Sequence, residues 1–176
     1  MSAEGLTEAE LKRLAQAARE TLARCGNCAQ TAFAVLQEEF DLDGDTILKA
    51  LTPFPGIALR GETCGAVVGS LMAIGLVYGR DDLEDWHAYI ASLSPARRFT
   101  RHFEVLNGSN DCEHILEGKL GRTFDLADAG QAGEYVEAGG PAVCAEVLAG
   151  AVRIAAEIIA GEAVGRRQSG SSEPAA

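Results

Sequence analysis

GETCGAVVGSLMAIGLVYG, residues 61–79, opens with a thiol and runs into an almost unbroken apolar segment. Ala66, Val67, Val68, Leu71, Met72, Ala73, Ile74, Leu76 and Val77 leave no polar face wide enough to meet water. A helix that is apolar on all sides is buried on all sides. Gly65, Gly69 and Ala73 recur at every fourth position as one smooth stripe. Each interior glycine costs a helix about 1 kcal/mol against alanine, a cost that suits a surface another helix must approach closely. The run is shorter than the roughly 20 apolar residues of a membrane span. It reads as a helix over 64–78, the buried centre of an all-α, single-domain bundle, with Cys64 at its entrance.

Working outward, Thr7 and Glu10 form a capping box that starts a helix running to about Arg24. Cys25-Gly26-Asn27-Cys28 breaks it: Gly26 suits a left-handed C-cap and Asn27 the next N-cap. A second helix follows over 28–40. Asp41–Asp45 has the acidic spacing of a calcium loop, but Thr46 and Thr52 stand where an EF-hand needs Gly and Glu. It reads instead as an acidic turn before a short helix, 45–51, which Pro53 and Pro55 end. Beyond the central run, 81–90 predicts a short helix, and Ser94-Pro95 the N-cap and first position of a new one reaching Leu106. Ser109 caps a further helix over 110–117, a weak one is expected near 127–137, and Gly140-Pro141 opens a last long helix to about Glu162. Strand-like alternation is absent. The helical domain is placed at 7–162, with residues 1–6 and 165–176 expected to be disordered, the latter for its low complexity.

The 176 residues fit one domain, and 47% hydrophobic content fills a core of Ala, Val, Ile and Leu with few aromatics. A net charge of −11 argues against nucleic-acid binding, which needs a basic surface. The one basic cluster, Arg97, Arg98, Arg101 and His102, reads first as a solvated helix face and second as a receiver for an acidic partner. The N-terminus lacks the basic-then-apolar pattern of a signal peptide, so a cytoplasmic protein with reduced thiols is expected.

Five cysteines in such a compartment are metal, redox or catalytic candidates before they are structural disulfides. Cys28, Cys64, Cys112 and Cys144 each fall at or near a helix start, where free N–H groups and the positive dipole end favour thiolate, the nucleophilic and metal-binding form. Against this stands the habit of free cysteine to behave as a small buried hydrophobe. Cys25 and Cys28 also form a Cys-x-x-Cys, which suits a dithiol couple or two ligands on one metal. His114, two residues past Cys112, is a lesser candidate for a proton donor or ligand.

Asn27-Cys28-Ala29-Gln30, then Gly61–Gly69 around Cys64, then Gly108-Ser109-Asn110-Asp111-Cys112, then Cys144, resemble the C_GCAxxG_C_C family of redox-active bacterial proteins over about 17–159. The resemblance implies an all-helical domain with four cysteines in a redox role, carried here by Cys28, Cys64, Cys112 and Cys144; Cys25 is an extra. Related domains are associated with iron–sulfur and haem-bearing electron-transfer proteins. The loop before Cys64, Pro53–Arg60, is poorer in glycine than the family's. The expected function is a redox protein in which these four cysteines converge on an iron–sulfur cluster and pass electrons to or from a redox protein partner. Two alternatives stand beside it: a metal-free thiol–disulfide oxidoreductase using the same four cysteines, and a structural zinc site in a helical interaction module. A homo-oligomer is compatible with either.

Overall fold

The computed structural model describes residues 5–169, with side chains described to residue 161; residues 1–4 and 170–176, part of the expected disordered termini, lie outside the described residues. Among the described residues the chain is all-α: α1 (Glu8–Cys25), α2 (Cys28–Phe40), α3 (Asp45–Ala50), α4 (Gly56–Leu59), α5 (Gly65–Tyr78), α6 (Trp86–Asn107), α7 (Cys112–Leu120), α8 (Ala129–Glu137) and α9 (Gly140–Ser169). The capping box at Thr7 and Glu10 is formed, Gly26 is left-handed at φ 66°, and the Asn27 side chain accepts from the Gln30 N–H.

The run that opens the argument is α5, packed between α2, α6 and α9. Its small-residue stripe faces α2, as expected: a Cβ on Gly69 would collide with the Ala29 carbonyl oxygen and come within 2.9 Å of the Ala32 methyl. The first turns of α5 and Ala73 and Ile74 are buried. Burial all round stops there, because Met72 and Leu76 remain 40% and 42% exposed on the side no neighbour covers. The element with most neighbours is α9, which touches α1, α2, α5, α6, α7 and α8 and buries Leu148, Ala151, Val152, Ala155 and Ala156 completely.

Four boundaries differ from the sequence reading. The two helices expected over 81–106 are one, α6, with Pro95 inside it. Proline forfeits one backbone bond and costs a helix interior about 3 kcal/mol. Here Pro95, Phe99 and Phe103 form one buried stripe at i, i+4 and i+8, and that burial carries the helix through. The start of α7 moves from residue 110 to Cys112, because residues 109–111 are engaged elsewhere. The Ser109 hydroxyl accepts from the Asp111 N–H, and the Asn110 carbonyl accepts from the Cys64 N–H at 2.9 Å. The last helix, expected to end at about Glu162, runs to Ser169. Finally, Gly56–Leu59 is a single left-handed turn: Gly56, Ile57, Ala58 and Leu59 have φ of 50°, 47°, 58° and 64°.

Candidate functional site: four thiols around one cavity

Three pieces of local structure bring the cysteines together. Cys28 is the first residue of α2, directly after the Asn27 cap. Gly65, the first residue of α5, lets it in: a Cβ there would lie 2.5 Å from Cys28 Sγ. Cys64 and Cys112 are joined through the backbone. Residues 61–64 and 110–113 lie antiparallel around a Thr63–Asp111 bridge, with Cys64 N–H donating to Asn110 O, Cys112 N–H to Glu62 O and Glu113 N–H to Gly61 O, all at 2.8–2.9 Å. Cys144 lies one turn into α9, where Tyr135 of α8 donates its hydroxyl to Cys144 Sγ at 3.1 Å.

Cys28, Cys112 and Cys144 line a common cavity of about 520 Å³, whose wall is otherwise largely apolar. Cys64 lies behind it, buried at 7% exposure. The four sulfurs feel one another: ionisation of Cys64 is opposed by Cys28, Cys112 and Cys144, and that of Cys112 by Cys144 and Cys28. Residues 116 positions apart along the chain thus share one electrostatic site.

The helix-start setting does not make these groups thiolates. Burial comes first and pushes the Cys28 thiol up to about 11, with the charge of Cys144 adding to it; the N–H groups of Cys28, Ala29 and Gly65 recover only part. Cys112 is pushed up to about 12 by burial and then by Cys144 and Cys28. Cys64 is driven well above the ordinary range, chiefly by burial. Cys144 is raised by burial, and the Tyr135 hydroxyl pulls it part of the way back. A helix terminus offers a fraction of a charge, whereas removing an ion from water costs several kcal/mol. The expectation of helix-start thiolates is therefore corrected: without a counter-charge these are neutral thiols.

The other candidates fall outside the cavity. Cys25 ends α1, is exposed, and turns its sulfur to the Thr31 hydroxyl at 2.9 Å. His114 is exposed and faces Asp111 at 3.6 Å. Arg97, Arg98, Arg101 and His102 are exposed on α6, which lends no residue to the cavity wall. Tyr135 is the site residue that sequence reasoning missed; an aromatic nine residues before Cys144 in a Gly-rich stretch is too weak a signal to single out.

One tetrahedral zinc with bonds of about 2.3 Å needs its sulfurs about 3.8 Å apart. Among the described residues no three His, Cys, Asp or Glu side chains stand close enough to hold a single ion. An iron–sulfur core spreads its thiolates more widely than one ion can, and three sulfurs lining one cavity with a fourth buried behind it supply the number of cysteines it takes. Among the described residues no helix is long and apolar enough to cross a membrane.

A family model described as "Putative redox-active protein (C_GCAxxG_C_C)" matches residues 26–158. No curated protein and no solved structure matches. The match spans most of the chain and includes Cys28, Cys64, Cys112 and Cys144 while leaving out Cys25, so the chain belongs to the C_GCAxxG_C_C family, which is named for a redox role.

Proposed function

We propose that Cys28, Cys64, Cys112 and Cys144 hold an iron–sulfur cluster and that the protein transfers single electrons to and from a redox partner. One observation carries this reading: Cys28, Cys112 and Cys144 line one largely apolar cavity, and the buried Cys64 behind it is electrostatically coupled to all three. Four cysteine thiolates are the usual complement of two-iron and four-iron clusters. When bound, the cluster supplies a one-electron couple; the chain supplies the sulfurs, a dry wall and a shield against solvent. Each thiol must lose its proton to become a ligand, and iron provides the positive charge that burial makes necessary. Loading therefore releases protons, and affinity rises with pH.

The test is anaerobic purification or reconstitution with iron and sulfide. The expected result is a visible spectrum that Cys→Ser changes at the four positions abolish or strongly alter, while Cys25→Ser leaves it nearly unchanged. A colourless protein that never takes up iron yet forms disulfides reversibly would overturn the reading in favour of thiol–disulfide chemistry. In that case the first pair to examine is Cys28 with Cys64, since Cys28 Sγ lies against the residue following Cys64. Cys25 is turned away toward Thr31.

A further inference from the structure

The Tyr135 hydroxyl is seated with unusual care for a residue on the edge of the fold. Its helix, α8, has no buried residue of its own and packs chiefly on α9. Yet the ring is fixed on two sides. Phe124 meets it edge-on, with centroids 5.8 Å apart at 74°. It also lies directly against Gly140, where a Cβ would collide with Cε2 and Cδ2. Held in this way, the hydroxyl reaches Cys144 Sγ at 3.1 Å, and Tyr135 lines the cavity.

We propose that Tyr135 is a positioning residue of the redox centre: its hydroxyl donates to Cys144 Sγ and favours the electron-rich sulfur, so that the centre is reduced more readily than it would be without that bond. A hydrogen bond to a ligand sulfur stabilises the more negative, reduced state and raises the potential. This deepens the iron–sulfur reading and rests on it for the potential.

The test compares wild type with Tyr135→Phe, which keeps the ring and removes the donor, and with Gly140→Ala, which keeps the donor and dislodges the ring. In protein reconstituted with iron and sulfide, both variants should bind as much iron as wild type. At a fixed applied potential their ratio of reduced to oxidised centre should fall about tenfold, equivalent to about 59 mV for a one-electron couple. In metal-free protein, the S–H stretch of Cys144, assigned by its loss in Cys144→Ser, should shift in both variants while those of Cys28 and Cys112 stay as in wild type. An unchanged potential in Tyr135→Phe overturns the proposal, as does an equal shift of all three S–H bands, which marks a merely structural role. If wild type takes up no iron, the cluster reading falls by itself, and the S–H band then decides the contact alone: a selective shift in Tyr135→Phe upholds it, and an unchanged band removes it.

Discussion

At the scale of single residues the central fact is a contest between two effects on the same sulfur. Cys28 starts α2, with three backbone N–H groups directed at it, yet its thiol is pushed from 9.0 to about 11 because burial outweighs them. That shift has a consequence for stability. In the unfolded chain Cys28 ionises near its ordinary value, while in the folded chain it keeps its proton until about pH 11. The folded state therefore binds more protons between the two values, and its stability is full below about pH 9 and declines as pH rises toward the folded value. Metal-free protein titrated with urea from about pH 8 to about pH 11 should lose stability steadily. Cys28→Ser, which removes the titrating group but keeps a small side chain, should lose less over the same range. Equal slopes for the two proteins would mean that Cys28 is not held protonated by the fold.

At the scale of elements, glycine placement separates what the sequence could reveal from what it could not. The stripe of Gly65, Gly69 and Ala73 predicted close packing, and α2 indeed lies against it. Gly75 in the same helix has open space around its Cα. Gly69→Ala should therefore destabilise by about 1–2 kcal/mol net, because the clash with α2 exceeds the gain in helix propensity. Gly75→Ala should stabilise by up to about 1 kcal/mol. Thermal melts of the two variants should move in opposite directions, and a shift of the same sign would refute close α2–α5 packing. The helix caps at Thr7, Asn27 and Gly26 were legible for a similar reason, since each is a local pattern that closes within a few residues. The left-handed turn of α4 was not legible: Ile57, Ala58 and Leu59 are residues that avoid positive φ, yet the turn closes on backbone bonds from Ala58 N–H to Pro53 O and Leu59 N–H to Pro55 O. The same holds for the short pairing of 61–64 with 110–113, too brief to leave a periodic trace, and for Pro95, whose local stop signal was overridden by burial. Ala58 is exposed at φ 58°, so replacing it with glycine removes strain and little packing. Ala58→Gly should raise the urea midpoint by about 0.5–1 kcal/mol equivalent with an unchanged slope. A lowered midpoint would mean that the turn is not strained.

At the scale of the whole molecule, the four cysteines are placed by elements gathered on α9, and under the proposed electron-transfer function the cavity is the place a partner would have to approach. The cavity wall is drawn from α1, α2, α4, α7, α8, α9 and the segments beside them. The basic face formed by Arg97, Arg98 and Arg101 belongs to α6, which is held down by the buried rings of Phe99 and Phe103. An acidic donor drawn to those arginines would therefore dock on an element that contributes nothing to the cavity wall, although attraction in a protein of net charge −11 would be concentrated there. Electron transfer favours close approach to the centre, so the solvated-face reading of this cluster is the better one. Charge reversal of all three arginines to glutamate should leave the helical circular dichroism and melting temperature nearly unchanged, because none of the three is buried. It should also leave the rate of reduction by a small acidic donor protein unchanged at low salt, where a docking contribution would be largest. A rate that falls on reversal, and falls similarly for wild type when salt is added, would show that the α6 face guides a partner after all. The path from that face to the thiol cavity would then have to run through the packed interior between α6 and α9.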